Sequence, residues 1–303
     1  MSPGWGFRTV VAEHHVDAFR PYLAKTCYAN ASPVTDEISL GFNFRVVVLV
    51  TSPPSILHFV TIYNTLLLPL ITLLQMALVW KSEQREFTSD GTFFVKRQLR
   101  PQELGFPAEN LLFCTERIKN EYVTLLLIKE KTKIPVPREI ELSVQHDGDD
   151  VTCSLRTEYI HGILLEDINE DHRMMAIAEV DRQMEESILP ELRKLKSSSL
   201  GSADVNLPVF PPNIVLYDKM RTDWPRIESG DDDFVFCHND LSGHNIIVDE
   251  RTFEILAILD WEYSGFFPAW FERPLWRVRY NERDDTESQA YVERVTSFFS
   301  INK

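Results

Sequence analysis

Glycine is scarce in this chain, 11 of 303 residues, and none lies between Gly41 and Gly91. That stretch therefore lacks the glycine loop that lets backbone close tightly around a phosphate. Cysteine is also sparse. Cys27, Cys114, Cys153 and Cys237 are far apart and form no C-x-x-C pair. This argues against a zinc site and a disulfide framework, and for free thiols in a reducing, cytosolic setting. Basic residues are outnumbered, with 31 Lys and Arg against 46 Asp and Glu, for a net charge of −15. Such a surface repels phosphate backbones and disfavours sequence-independent nucleic-acid binding. Solubility is the plainer meaning of the charge; steering of a cationic small molecule is the second. The first residues show no basic stretch followed by an apolar core, so no signal peptide is read. Internal repeats and low-complexity tracts are absent as well.

Charge itself is missing from Val46 to Trp80. Read as a helix, 56–80 extends about 37 Å at 1.5 Å per residue, enough to span a bilayer. Lys81 and Arg85, then Lys96, Arg97 and Arg100, would hold its C-terminal side in the cytosol. Pro69, Asn64 and Gln75 speak for the other reading, buried elements of a folded domain. The expected organisation is a 1–45 extension, a 46–86 apolar segment with a membrane helix at 56–80 as one reading, a small lobe over 87–160 and a larger lobe over 161–303.

Beyond the apolar run the periodicities become readable. Thr92–Arg97 is rich in β-formers and predicts a strand. Thr115–Lys133 places Ile118, Tyr122, Leu125 and Leu126 on one helical face, and Pro135 and Pro137 stop it. Arg138–Gln145 and Val151–Ile160 predict two strands around His146-Asp147-Gly148-Asp149. Asp171–Lys196 is an amphipathic helix, and Ser197–Trp224 a long connection. Phe234–Cys237 predicts a buried strand. Ile246–Val248 and Ile255–Leu259 predict a hairpin around Asp249–Thr252.

The chemistry concentrates at Cys237-His238-Asn239-Asp240-Leu241-Ser242-Gly243-His244-Asn245 and at Asp260-Trp261-Glu262. The first stretch is H-x-D-x-x-x-x-N. In phosphoryl transfer such an Asp takes the proton of an attacking hydroxyl, while an Asn and a second Asp hold magnesium on the nucleotide phosphates. Asp240 is the candidate base, and His238 joins it in the catalytic set, orienting the loop through hydrogen bonds. Asn245 and Asp260 are the candidate metal ligands, an amide oxygen and a carboxylate of the kind magnesium accepts. An antiparallel hairpin returns both to one edge, because Asn245 starts one strand and Asp260 ends the other. Glu262 is read as a metal-side carboxylate or a surface residue with equal weight. Lys96, on its strand, is the candidate phosphate contact, with Glu121 on the following helix as its acidic partner. The backbone of Glu158–Ile160, between the lobes, is the candidate adenine contact, and its side chains have hydrophobic packing as the plainer role.

Together FFVKRQLRP (93–101), RIKNE (117–121), IPVP (134–137), TEYIHG (157–162), VFCHNDLSGHNIIVD (235–249) and AILDWEYSGFFP (257–268) resemble the aminoglycoside phosphotransferase and choline kinase families, most of all fungal phosphotransferase-family members. The resemblance covers roughly residues 91–272. It implies an α+β, two-lobed, protein-kinase-like fold: a small β-rich lobe with one helix, and a larger, mostly helical lobe carrying the catalytic hairpin. It implies ATP and Mg2+ as cofactors and phosphorylation of a small-molecule hydroxyl. By match, Asp240 is the base, Asn245 and Asp260 hold magnesium, Lys96 contacts phosphate and Glu121 pairs with it. The glycine-free stretch departs from the family pattern. The 43 residues after Asp260 also leave little room for a protein kinase's helical subdomain, which favours a small acceptor over a peptide. The alternative reading is a catalytically impaired kinase-like binding protein, tethered to a membrane through 56–80.

Overall fold

The β-formers around Lys96 do make a strand. In the computed structural model Phe93–Gln98 (β3) is the centre of a five-stranded antiparallel sheet. The structure describes residues 78–105, 112–148, 150–231 and 233–301. The 1–45 extension and residues 46–77 of the apolar segment lie outside these. The sheet begins at Leu78, inside the apolar run. Leu78–Lys81 (β1) pairs with Arg85–Ser89 (β2), which pairs with β3. This corrects two expectations: the small lobe starts before residue 87, and the 56–80 helix does not run through Trp80. The reason is cross-strand packing, since Trp80 stacks on Phe87 with ring centroids 5.3 Å apart and both meet Phe94, a better solution for aromatics on a pleated face than a helix. Among the described residues no helix is long and apolar enough to cross a membrane; residues 56–77 are not among them.

The remaining strands are Ile140–Asp147 (β4) and Asp150–Glu158 (β5), in sheet order β1-β2-β3-β5-β4. Their turn uses Gly148 at φ +62, a conformation that suits glycine. Between β3 and β4 runs Cys114–Lys131 (α1), whose Ile118, Leu125 and Ile128 are buried along one face. It stops where the Thr132 hydroxyl takes over the Ile128 carbonyl at 2.7 Å, just before Pro135 and Pro137.

The C-terminal part is mostly helical, so the fold is α+β as expected. Ile163–Leu164 (β6) precedes Glu170–Gln183 (α2), which Asn169 caps by accepting the His172 amide at 3.1 Å. The predicted Asp171–Lys196 helix is realised with a π-type bulge at Met184–Ile188 before Leu189–Lys194 (α3). Gln183, at the bulge, donates to the Phe253 carbonyl at 3.1 Å and accepts the Ile255 amide at 2.9 Å, tying helix to hairpin. The Ser197–Trp224 connection holds more order than expected: Lys196–Ser197 (β7) opens it, and Asn213–Lys219 (α4) forms behind Pro211-Pro212, a favoured helix start. Phe234–Cys237 (β8) pairs with β7 and with Gly265–Phe267 (β11). A closing helix, Asp285–Ile301 (α5), buries Val292, Val295 and Phe299 in a second core with Phe210, Phe267 and Phe271.

The predicted hairpin is Ile246–Val248 (β9) and Ile255–Ile258 (β10), with β6 as its third strand. Gly162 leads into it. A Cβ there would lie 2.5 Å from Ile247 Cγ2 and 2.8 Å from the Val248 carbonyl oxygen. The backbone of one lobe's exit thus presses directly on the strand that carries Asn245. Gly162→Ala is expected to lower stability in urea unfolding by about 1–3 kcal/mol, the usual cost of overpacking. Gly230→Ala, with open space around it, should change stability by less than about 0.5 kcal/mol.

Candidate active site

The hairpin closes as the spacing requires. Ile258 pairs with Ile246, and the Leu259 amide donates to the Asn245 carbonyl at 2.8 Å. Asn245 and Asp260 therefore leave the same edge of the hairpin. Asn245 spends its Nδ2 on the Asp240 carbonyl at 2.8 Å, which leaves its amide oxygen as the end able to take a cation. Asp260 sits at φ +60, a left-handed conformation that Asp tolerates better than most residues. Its side chain is the most open of the acidic group, about one-third exposed (34%).

His238 is the bolt of the catalytic loop. Its Nδ1 accepts the Asp240 amide at 3.2 Å, so Nε2 carries the hydrogen and donates to the Leu259 carbonyl at 2.9 Å. The ring lies 4.4 Å from the Trp261 ring and is fully buried. Burial pushes its pKa down and keeps it neutral. Both nitrogens serve backbone groups, so His238 positions the loop and does not itself meet a reactant. Asp240 is held by the Ser242 hydroxyl, which donates to Oδ1 at 2.5 Å, with His244 Nε2 3.9 Å from Oδ2. Burial alone would raise its pKa, but His244 and the Ser242 bond outweigh that and hold it down at about 2. The carboxylate is ionised at neutral pH, as a proton acceptor must be.

Lys96 reaches the same place from the sheet. Its ammonium lies 2.8 Å from Glu121 Oε2, 2.5 Å from Asp260 Oδ1 and 3.1 Å from Glu262 Oε2. The Lys96–Glu121 pair read from the sequence is formed, and Lys96 also bridges to the hairpin. Burial works against its charge, but the three carboxylates raise its pKa well above the usual value. Glu262 carries more than the sequence suggested. Arg117 Nη1 approaches Oε1 at 2.7 Å and Arg85 Nη2 approaches Oε2 at 3.4 Å, all three side chains being buried. These cations overcome burial and drive its pKa far down. Arg85 and Arg117 escaped the sequence reading. The signal for Arg117 was present: it stands four residues before Glu121, hence on the same helical face. Arg85 had none, since its strand lay at the end of the apolar run.

The turn between β1 and β2 is Ser82–Gln84. With no glycine, it is held by the Ser82 hydroxyl, which accepts the Gln84 and Arg85 amides at 3.4 and 3.1 Å. Gln84 Oε1 in turn accepts Arg117 Nη2 at 2.5 Å and the Tyr217 hydroxyl at 3.0 Å. At the lobe junction the Glu158 amide is spent on the Glu139 carbonyl at 3.1 Å and the Tyr159 amide on the Thr92 carbonyl at 2.8 Å.

Glu272 was not anticipated either, because no motif spacing marks it. From behind the loop its Oε2 accepts the His238 and Asn239 amides at 2.5 and 3.4 Å. Burial pushes it up to about 7, with Asp240 adding to the rise against the two amide bonds. Glu121 is likewise pushed up to about 7 by burial and by Asp260 and Glu262, against the pull of Lys96. A carboxylate raised in the fold binds protons that the unfolded chain has released, so stability falls as pH rises through the folded value. His238 acts in the opposite sense, but only below its unfolded pKa of about 6.5. Between about pH 6.5 and 8 the melting temperature should therefore fall by a few degrees, about 2–6 °C. Glu272→Gln should remove roughly half of that slope. A flat or rising melting curve over this window would contradict the assignment.

Residues 152–272 match the choline/ethanolamine kinase family. No protein of curated function matches the chain. Among solved structures, an aminoglycoside-3'-phosphotransferase of type VIII is 17% identical, covering 73% of this chain and 93% of its own, with a TM-score of 0.42. APH(2")-IIia, solved with GDP and kanamycin, is 14% identical over 73% of this chain and 82% of its own, TM-score 0.43. A putative aminoglycoside phosphotransferase from Ralstonia eutropha JMP134 is 14% identical over 73% and 74%, TM-score 0.39. The family match spans His238–Asn245 and the Asp260-Trp261-Glu262 segment, so this part of the chain is similar to choline/ethanolamine kinases.

Proposed function

We propose that this protein is an ATP-dependent phosphotransferase that moves the γ-phosphate onto a hydroxyl of a small molecule. The observation that carries this reading is the junction at Asp260. Lys96 from the sheet meets Asp260 from the hairpin at 2.5 Å, while His238 bonds both the Asp240 amide and the Leu259 carbonyl beside Asp260. One bonded frame thus holds a lysine ammonium, a carboxylate of the kind a metal takes and an ionised aspartate, which supports this reading.

The residues fit magnesium. Glu121, Asp260 and Glu262 each offer a carboxylate oxygen, all within 4.8 Å of one another, and the Asn245 amide oxygen leaves the same hairpin edge as Asp260. Asp260 and Asn245 would hold the ion, with Glu262 kept for the cations beneath. Bound there, magnesium would neutralise phosphate charge. Lys96 then turns from Asp260 toward the α- and β-phosphates while Glu121 keeps hold of its ammonium. Asp240 accepts a hydrogen bond from the acceptor hydroxyl through Oδ2, the oxygen Ser242 leaves open, and takes its proton as the new P–O bond forms and the bond from the γ-phosphorus to the β,γ-bridging oxygen breaks, with ADP as the leaving group. Ser242 and His244 keep that carboxylate ionised and aimed. The β1–β2 turn lacks glycine but is pinned by Ser82 and Gln84, a side-chain substitute for a flexible phosphate loop.

That same pinned turn is the observation favouring the second reading, a kinase-like binding protein without turnover. The two separate on three variants. Asp240→Asn is expected to cut phosphoryl transfer by about 10²–10⁴-fold while nucleotide binding persists. Lys96→Met and Asp260→Ala should instead weaken MgATP binding itself. Failure of the full chain to bind MgATP at millimolar concentration sinks the enzyme reading. Nucleotide binding with no Asp240-dependent transfer to any hydroxylated acceptor supports the binding protein.

A further inference from the structure

One half-buried cation, Arg283, has no work in the scheme above. Arg283 stands two residues before α5, and its Nε and Nη2 are buried with no hydrogen-bond partner among the described residues. Its guanidinium lies over the Tyr280 ring, 5.0 Å from the centroid. Tyr280 in turn faces the His244 ring at 6.3 Å, and His244 Nε2 is 3.9 Å from Asp240 Oδ2. Burial pushes the Arg283 pKa down, while Asp240 and Glu166 are its leading opposite charges and pull it up. The cation is therefore close to the base, on the side where His244 flanks the open carboxylate oxygen.

The pair of unsatisfied donors is informative. Nε and Nη2 form one edge of the guanidinium plane, and that edge binds two oxygens of a single carboxylate or phosphate side by side. A guanidinium buried with that edge empty is costly, since water is excluded and no protein acceptor replaces it. Neighbouring arginines do not share the condition: Arg279 bonds Glu170 at 2.8 Å and the Ile168 carbonyl at 3.0 Å, and Arg277 bonds Asp181 at 2.5 Å. The ring of Tyr280 fixes the plane of Arg283, leaving the fork edge as its unused part.

We infer that the acceptor carries an oxyanion, a carboxylate or a phosphate monoester, near its reacting hydroxyl, and that Arg283 grips it side-on. Resting on the phosphotransferase reading, this makes Arg283 the specificity residue for the acceptor. The net charge of −15 speaks for cationic partners, but it describes the whole surface. The local field at Arg283 comes from Asp240 and Glu166, opposed by Arg273. Arg283 bound to a substrate anion also stops acting as a counter-charge to Asp240, which leaves the base more basic when an acceptor is present.

The test is calorimetric titration of the full chain with glycerate, glycerol 3-phosphate, glycerol and choline, with MgATP titrated separately. Wild type should bind one or both anions. Arg283→Gln should weaken that binding at least about tenfold, an effect of the size expected for losing a two-bond charged contact, with glycerol, choline and MgATP unchanged. Arg283→Lys keeps the charge and the stem but loses the fork, so an intermediate affinity is expected; it also carries the test should Arg283→Gln melt early. The larger loss between glycerate and glycerol 3-phosphate identifies which oxyanion the site takes. Anion affinity equal in wild type and both variants overturns the inference, as does preferential binding of choline. Wild type that binds MgATP but shows no Arg283-dependent anion binding leaves the phosphotransferase reading standing alone. Wild type that binds the anions through Arg283 but no MgATP does the reverse.

Discussion

Everything at this site depends on a buried lattice of alternating charges around Glu262 and Lys96. Arg85, Lys96 and Arg117 converge on Glu262, and Lys96 continues to Glu121 and Asp260. An isolated buried ion costs several kcal/mol in lost hydration, and one pair rarely recovers that. Here three cations meet three carboxylates: Lys96 contacts all three carboxylates and Glu262 all three cations, so none is left uncompensated. The members come from β2, β3, α1 and the segment after β10, so the lattice also fixes how the sheet, its helix and the hairpin sit on one another. It spans 177 residues of sequence between Arg85 and Glu262. Charge neutrality inside the lattice explains how an exposed carboxylate such as Asp260 can face the cleft without pulling the core open.

A second centre, at His238, turns that rigidity into orientation. The ring links the loop to the hairpin's end, Glu272 holds the loop's amides from behind, and Asn239 bonds the Tyr263 carbonyl at 2.8 Å. Asn239 and Asp260 both adopt left-handed backbone, at φ +69 and +60. Such conformations cost of order 1–2 kcal/mol each and persist where surrounding bonds over-determine them. That is the condition here: the bonds of His238, Glu272 and the hairpin bracket both residues. The strain sits where the loop must present Asp240 and the hairpin must present Asp260 to the same volume.

The local chemistry of the site was legible because its spacing is short. H-x-D-x-x-x-x-N, the hairpin and Asp260 lie within a few dozen residues, and strand alternation carries their geometry directly. Lys96 with Glu121 was legible for a related reason, one residue type on a strand and its opposite on the next helix. Arg85, Arg117 and Glu272 act across the fold on groups that no local pattern connects to them. The apolar run shows the limit differently. Hydropathy alone reads Trp80 as the end of a helix, whereas a cross-strand partner, Phe87, makes it part of a sheet.

By itself, then, the sequence determined the Lys96 strand and the helix after it, the strand pair around Gly148, the hairpin after Asn245, and which residue types could carry phosphoryl transfer, since each depends on neighbours within a turn or a hairpin. Only the tertiary structure decided that the sheet begins at Leu78, which backbone groups the two His238 nitrogens bond, that Glu262 is the hub of three cations, and that Arg283 is left with an empty fork. Those outcomes depend on desolvation and on which charges meet after folding, quantities that no run of adjacent residues contains.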